Sequence, residues 1–335
     1  MMRLAWTIPC VLVACSSAPS RPPCVEPATG LPTDLYCTGL YSASDPTQYA
    51  SDVMPYTPGV VLWSDGAEKH RFLEIPTGAM IDTSNQDSWK FPVGTKAWKE
   101  FVVDGVLVET RLFRKRSDTL WDAGTYIWDA DGQTATLNTA PKGTILPSGY
   151  EIPTLKDCDK CHHGGADRLL GVEAVALSLP DAQGATLAQL AQLGLLSNPP
   201  PTTSARLPED ATGKAAAALG YLHANCGMPC HSSRGLGDET KLVMRIRADE
   251  VWPTGVPVAM TDTFKATVGQ QPTTAAIAQQ FPGALRITAG AHAQSLVWLV
   301  SHLRGNYQMP PLVSHKIDDV GTQQLADWID ALPAM

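Results

Sequence analysis

Two groups of cysteine and histidine residues have spacings that suit covalent attachment of one kind of cofactor. Cys158, Cys161 and His162 form the pattern C-x-x-C-H. In this pattern two thiols add across the two vinyl groups of a haem, and the adjacent histidine binds the iron. Paired cysteines also begin zinc motifs, but the next pair, Cys226 and Cys230, lies far downstream of a finger-like spacing. The first motif therefore predicts attachment of a c-type haem.

The second group reads Cys-Gly-Met-Pro-Cys-His and ends at His231. It has one residue more between the cysteines than the regular motif. Such an expanded pattern can carry haem if the extra residue is looped out, and Gly227 and Pro229 are residue types that a local bulge uses. We expect thioether bonds at Cys226 and Cys230 and iron ligation by His231. Attachment through Cys230 alone, or a site without haem, remains an alternative.

Candidate ligands for the opposite faces of the two haems are a methionine and several histidines. Met309 precedes two prolines, and a stiff, extended loop of this kind holds a sulfur in place. A thioether ligand raises the reduction potential of a histidine-ligated haem and favours electron transfer. For the first haem, His223 either supplies the sixth ligand or bonds a propionate. The other candidates for that ligand are His70, His292, His302 and His315, and an open iron is a further alternative.

Two amphipathic segments position the second motif. Residues 215–225 contain strong helix formers and lead directly into Cys226. A second helix is expected from about Asp319, with apolar residues at i, i+3, i+4 and i+7. These apolar positions are Leu325, Trp328, Ile329 and Leu332. The order of features is therefore helix, attachment site, long loop, methionine and terminal helix.

With these features, residues ~209–335 resemble class I cytochrome c. The resemblance implies an all-α domain in which the first and last helices cross with an aromatic residue, here Trp328, at the contact. It also implies His231 and Met309 as the two axial ligands of this haem. The extra residue between the cysteines departs from the family pattern. The distance from His231 to Met309 is also longer than in the smallest members, which indicates an insertion around residues 244–274.

The mature chain also resembles exported dihaem c-type cytochromes with a β-rich N-terminal domain. The stretches that carry this resemblance are LWSDGAEK at 62–69, FPVGT at 91–95, YLHANC at 221–226 and MPPL at 309–312. It implies two covalently bound haems and electron transfer with redox partner proteins. A dihaem enzyme, such as a peroxidase or the cytochrome part of a dehydrogenase, and a haem-containing binding or sensing module are the alternatives.

The region before the first motif reads as β-structure. Two strand-like runs flank Asp104-Gly105, and two more flank Asp131-Gly132, which predicts two hairpins. Several short strands with such turns suggest a sandwich. Residues 181–196 are expected to form one short helix, which ends at three prolines that begin a linker. The fold expected is thus α+β and multidomain, with a β-sandwich-like N-terminal domain followed by an all-α domain.

The N-terminus has the features of an export signal. A short apolar run precedes Cys15, and the sequence around this cysteine resembles the bacterial lipobox, which implies cleavage before Cys15 and lipidation of its thiol. Ordinary secretion into the periplasm is the alternative. Because an exported chain meets an oxidising compartment, Cys24 and Cys37 are expected to form a disulfide. The segments expected are a signal peptide at 1–14, a tether and arm at 15–45, a β-rich domain at 46–150, the first haem segment and linker at 151–208, and the cytochrome c domain at 209–335.

Composition sets limits on the remaining function classes. The chain has 335 residues, of which 44% are hydrophobic and 17% charged, so it can form a packed core. Its formal net charge of −8 argues against a nucleic-acid partner. No apolar run after the signal segment is long enough to span a bilayer, so membrane contact is expected through the N-terminal lipid only. We find no fingerprint of a flavin, quinone or nucleotide site.

Overall fold

The computed structural model describes residues 23–334 except 44, 46, 163–165 and 234. The expected signal peptide at 1–14 and the lipidation site at Cys15 lie outside the described residues. Within the described part of the chain, α-helices and a large antiparallel sheet form a mixed α and β fold. No helix in this part is both long and apolar enough to cross a membrane.

The strands are short and mostly lie before the first cysteine motif. They are β1 (Met54–Thr57), β2 (Glu68–Glu74), β3 (Lys96–Val103), β4 (Val106–Lys115), β5 (Trp121–Trp128), β6 (Ala135–Leu137), β7 (Thr144–Ile145), β8 (Glu151–Ile152) and β9 (Gln183–Gly184). The described residues form one seven-stranded sheet in the order β6-β5-β4-β3-β2-β1-β9, and β7 pairs with β8. Both predicted hairpins are confirmed as β3–β4 and β5–β6. Asp104 and Gly105 adopt positive φ angles of 51° and 78°, as a tight hairpin turn requires.

The helices follow all the strands except β9, which lies between α2 and α3. They are α1 (Leu155–Cys161), α2 (Ala174–Ser178), α3 (Leu187–Gln192), α4 (Ala215–Leu222), α5 (Ala248–Val251), α6 (Asp262–Thr267), α7 (Ala275–Gln280), α8 (Leu296–Ser301) and α9 (Asp319–Ala331). The terminal helix is confirmed, with Asp318 as its N-cap. The helix expected over 181–196 is shorter than predicted, because Gln183–Gly184 instead pairs with the edge of the sheet as β9.

The expectation of a β-sandwich is wrong for the described residues, which place no second large sheet against the first. One face of the sheet is covered by the segment that contains α1, α2 and α3. The opposite face is covered by the arm that precedes β1, through residues such as Leu35 and Leu40. This arm contains the Cys24–Cys37 disulfide, the pairing that the sequence analysis expected. An arm and short helices therefore bury the two apolar faces that a second sheet would have buried.

Segment 151–198, which contains the first motif, shares a core with the sheet. Cys158, Leu177 and Leu187 pack in one cluster with Leu73 of β2 and Phe113 of β4. The first motif is therefore built onto a strand surface, and the sheet determines what surrounds it.

Helices α4 and α9 cross in a second core that contains the fully buried Trp328. The close approach occurs at Gly321, where a Cβ atom would lie 2.1 Å from the ring of Tyr221. Gly220 of α4 faces Val60 instead. Glycine is therefore needed on α9 because an aromatic ring of α4 occupies the space of its side chain.

Candidate functional site

The first cysteine motif lies on α1 and at its end. Thr154 caps the helix by accepting a hydrogen bond from the backbone N–H of Asp157. The backbone N–H of His162 donates to the carbonyl of Cys158 at 3.1 Å, a regular i to i+4 helical bond. This turn brings the first cysteine and the histidine of the motif to the same side of the helix.

The ring of His162 is held in one orientation. It stacks on Phe113 with the ring centroids 4.5 Å apart. Its Nδ1 lies 2.5 Å from the carbonyl oxygen of Arg168, which accepts a hydrogen bond and therefore fixes the proton on Nδ1. Burial, together with the charge of Lys99, lowers the pKa of His162 to about 3, so the ring is neutral. No hydrogen bond to its Nε2 is formed within the described part of the chain.

The loop that carries Arg168 is anchored by Asp167, a residue that the sequence analysis missed. The Asp167 carboxylate accepts hydrogen bonds from the backbone N–H of Phe91 at 2.7 Å and from Nε1 of Trp121 at 2.8 Å. It also forms a buried ion pair with Lys115, with Nζ and Oδ2 2.6 Å apart. Since the carboxylate belongs to the residue before Arg168, this anchor positions the carbonyl that orients the His162 ring. Its partners are distant in sequence, so no local pattern reveals it.

The second motif begins in a π-helical turn, His223–Gly227, that continues α4. In this turn the backbone N–H of Met228 donates to the carbonyl of His223 at 2.8 Å, an i to i+5 bond. The next such bond runs from the N–H of His231 to the carbonyl of Cys226, also at 2.8 Å. A wider turn absorbs one extra residue and returns the chain to the same side.

The two motifs therefore close in the same way despite their different lengths. In each, the histidine N–H donates to the carbonyl of the first cysteine, across i to i+4 at Cys158 and across i to i+5 at Cys226. The extra residue of the second motif is taken up by this π-type bond. Gly227 has a further role, because a Cβ atom there would lie 2.5 Å from the backbone at Met244 and Arg245.

His231 is partly buried beside a loop that Arg286 secures. The His231 Nδ1 lies 3.5 Å from the hydroxyl of Thr240, at the limit of hydrogen bonding. Arg286 donates to the carbonyl of Thr240 at 2.6 Å and to that of Ala266 at 2.8 Å. Burial, aided by the charge of Arg286, lowers the pKa of His231 to about 4. As at His162, no described residue forms a hydrogen bond with Nε2.

The structure brings the two motifs together. The thiols of Cys161 and Cys230 hydrogen-bond to each other, which raises the pKa of Cys161 and lowers that of Cys230. Burial raises the pKa of Cys226 to about 12. Among the described residues, no group of three or more His, Cys, Asp or Glu side chains is arranged to hold a bare metal ion.

His223, the candidate sixth ligand of the first haem, is fully buried and both of its ring nitrogens have protein partners. Its Nδ1 accepts from the backbone N–H of Ile246 at 3.0 Å, so its proton resides on Nε2, which lies 3.3 Å from a carboxylate oxygen of Glu173. Burial by itself raises the pKa of Glu173, but the contact with His223 and the charge of Arg245 outweigh it, and the pKa is lowered. Ligation of iron by His223 would require one of these two bonds to break.

Met309 lies on a loop organised by Gln308. The Gln308 amide donates to the carbonyls of Pro310 at 2.9 Å and Ser314 at 2.8 Å. The backbone N–H of Met309 donates to the carbonyl of Val300, where α8 ends, at 2.8 Å. The Met309 side chain is partly buried. The loop is thus held by the side chain of Gln308 and by the backbone of Met309 itself.

Two of the sequence stretches that carry the resemblance, 62–69 and 221–226, contact each other in the fold. In 62–69, the backbone N–H of Trp63 donates to the side-chain oxygen of Asn225 at 2.6 Å. The buried carboxylate of Asp65 accepts from the backbone N–H groups of His315 at 2.8 Å and Lys316 at 3.1 Å. The segment before β2 therefore contacts both the second motif and the chain that follows Met309.

The remaining histidines have different surroundings. His70, His292 and His315 each contact a carboxylate through one ring nitrogen. His302 stacks on Trp298 with centroids 4.6 Å apart, and its buried Nδ1 has no hydrogen-bond partner among the residues that the structure describes. His163, next to the first motif, lies outside the described residues.

Comparison of the chain with models of known protein families, with curated proteins and with solved structures found no match.

Proposed function

We propose that the chain is a periplasmic electron carrier with two covalently bound c-type haems. The observation that carries this proposal is the common closure of the two motifs, with the histidine N–H bonded to the carbonyl of the first cysteine in both. A motif with a residue too many would otherwise turn its histidine away from its first cysteine. The π-type bond removes that objection to the second site.

The chemistry of the donor groups fits haem. A haem-ligating histidine binds iron through one ring nitrogen and usually donates a hydrogen bond from the other. His162 meets this requirement, because Nδ1 donates to the Arg168 carbonyl and Nε2 is left without a hydrogen bond in the described chain. In the proposal, the first haem is held by Cys158, Cys161 and His162. The second is held by Cys226, Cys230, His231 and Met309.

The group supplies reversible one-electron reduction at iron, and the chain supplies its surroundings. Arg168 keeps the proton on Nδ1 of His162, and Phe113 supports the face of the ring. The contact between Cys161 and Cys230 brings the two attachment sites next to each other, as exchange of electrons between two cofactors requires. The crossing of α4 with α9, with Trp328 buried, supports a class I cytochrome c arrangement around the second site.

A dihaem enzyme is the second candidate, and the bonding of His223 favours it. Because both ring nitrogens of His223 are engaged, a haem attached at the first motif would lack this ligand unless one of these bonds broke. The Glu173 carboxylate beside His223 would then be a candidate acid–base group for such an enzyme. Carbon monoxide distinguishes the two candidates, since a reduced haem with an open position binds it and a carrier with two six-coordinate haems does not.

The proposal includes export and a lipid anchor at Cys15, with a soluble periplasmic protein as the alternative. The partners proposed are redox proteins, without nucleic acid and without membrane contact beyond the lipid.

Intact mass and haem staining of the denatured, exported protein test the proposal. Two covalently held haems are expected in the wild-type protein and one in the double variant Cys226→Ser/Cys230→Ser. A single haem in the wild-type protein would contradict the second site. Met309→Ala should keep both haems, abolish the near-infrared sulfur-to-iron charge-transfer band and lower one reduction potential. A band that survives would exclude Met309 as ligand.

A further inference from the structure

Three cationic side chains stand directly opposite one another across β2, β3 and β4. Arg71 pairs in register with Lys99, and Lys99 with Arg111. The adjacent row of the same face is apolar and contains Phe113, on which the His162 ring stacks. Like charges directly opposite in a sheet repel each other, so this row destabilises the strands unless anions compensate it.

Only one of the three cations has a carboxylate partner among the described residues. Arg111 is bound by the buried Glu109, with Nε and Oε2 2.9 Å apart. Arg71 is 5% exposed, and within the described chain it donates only to the carbonyl of Lys69, at 3.3 Å. Lys99 forms no ion pair or hydrogen bond in the described part of the chain, and burial lowers its pKa to about 7. Buried charges are ordinarily paired, because leaving water without compensation is costly.

Arg71 and Lys99 line a cavity beside the second cysteine motif, and Lys99 is near enough to the first motif to interact electrostatically with Cys158 and Cys161. The other walls of the cavity include Glu173 and His223, and Met228 of the second motif. The Glu173 carboxylate does not compensate the two cations, because it is directed to His223 and to the first N–H groups of α2. The cavity is therefore lined by a buried guanidinium and a partly buried amino group that no described carboxylate neutralises.

We propose that Arg71 and Lys99 form a carboxylate-binding site that holds a propionate of the haem attached at Cys158 and Cys161. The inference rests on the proposed function and adds a role for the β-rich region, which is to provide the charges that compensate this haem. Lys99 is close enough to act electrostatically on Cys158, Cys161 and His162. A haem attached there brings two carboxylates, and a guanidinium and an ammonium group are suitable partners for one of them.

A free carboxylate could occupy the same site, and the two sources predict different behaviour. A propionate is covalently part of the haem, so its effect does not depend on the buffer. A free carboxylate acts in proportion to its concentration. Succinate is a suitable probe, because it carries carboxylates without any haem.

The test compares Arg71→Gln and Lys99→Met with Lys156→Gln, which removes an exposed cation of α1 two residues from Cys158. A cation beside a haem favours its reduced form, because that form carries one positive charge less than the oxidised form. Loss of the cation should therefore lower one of the two reduction potentials in each cavity variant. The control variant should leave both potentials unchanged. Equal potentials in the cavity variants and the control would overturn the proposal.

A second measurement uses protein in which the first haem cannot attach, with both Cys158→Ser and Cys161→Ser. In this background Arg71→Gln and Lys99→Met should increase resistance to urea, because they remove uncompensated charge. In the two-haem protein the same substitutions should decrease it. The same sign in both backgrounds would overturn the proposal, and two variants keep the test valid if one fails to fold.

The outcomes distinguish failure of the proposed function from failure of the carboxylate site alone. If the wild-type protein carries no covalent haem, the proposed function fails and the inference fails with it. If two haems are attached but the potentials do not respond to the cavity variants, only the inference fails. If the potentials shift only when succinate is added, the site binds a free carboxylate and the assignment to a propionate is overturned.

Discussion

Replacement of Asp167 by asparagine tests how the first motif is positioned. Lys115 and Asp167 are 4% and 5% exposed, and their charged atoms lie 2.6 Å apart. Asparagine keeps an oxygen that can accept from Phe91 or Trp121 but removes the charge that compensates Lys115. Breaking a buried ion pair from one side costs about 3–5 kcal/mol, because the other charge stays buried. We expect Asp167→Asn to lower the free energy of unfolding by about this amount.

The same substitution should affect the haem site specifically. Asp167 precedes Arg168, whose carbonyl accepts the hydrogen bond from His162. A loosened anchor weakens that bond. If His162 is the iron ligand, as proposed, this reduces its basicity and should shift one reduction potential. The second proposed haem, whose expected ligands are His231 and Met309, should keep its potential.

Urea denaturation followed by fluorescence, together with a redox titration, measures both effects. Asp159→Asn is the matched control, because Asp159 forms an exposed ion pair with Arg168, and such pairs contribute about 0–1 kcal/mol. Addition of Lys115→Met to Asp167→Asn should recover part of the lost stability by removing the unpaired charge. If Asp167→Asn is no more destabilising than the control, the buried pair does not anchor this loop.

Three further predictions concern the helix crossing, the stability of the fold at acidic pH and the N-terminus. Gly321→Ala should destabilise the fold by about 1–3 kcal/mol in denaturant unfolding because its Cβ meets the Tyr221 ring, although alanine favours helices. Val320→Ala, at an exposed site of the same helix, is the control, and a stabilised Gly321→Ala would refute the close crossing. Because the pKa of Glu173 is lowered on folding, its contribution is present above its ordinary pKa of 4.5 and is lost as the pH falls below it. The stability difference between wild type and Glu173→Gln should therefore shrink on acidification, and a constant difference would contradict this reasoning. Cys15→Ser should move the protein from the membrane fraction to the soluble fraction with an unchanged absorption spectrum, and persistent membrane association would argue against lipidation.

Local features of this chain could be predicted from the sequence because their causes are local. The turn at Asp104-Gly105 needs two residues that accept positive φ, and the sequence provides them between two strand-like runs. The terminal helix follows from its apolar period, although the aspartate that caps it is Asp318, one residue before the expected start. The two cysteine motifs are equally local, since thiols and imidazole must lie within one turn. Their assignment to haem stays a prediction.

The covering of the sheet could not be predicted in the same way. Strand β4 reads as alternating, with Glu109 and Arg111 on a polar face, yet Glu109 is fully buried and pairs with Arg111. A polar face in a sequence does not reveal whether it will meet water or another segment. Here α1 packs on that face, and one sheet is covered on both sides where a second sheet was expected.

Tertiary structure alone decided the relation between the two motifs and the charges around them. Cys161 and Cys230 are far apart in the chain but lie close enough for their thiols to interact. Arg71 and Lys99 become neighbours only through strand register, and a shift of one residue would move either to the opposite face. The sequence by itself determined which residues have the chemistry to hold a cofactor, because that chemistry belongs to side chains and short spacings. Which cations face that site depends on long-range pairing, and pairing is an outcome of the whole fold.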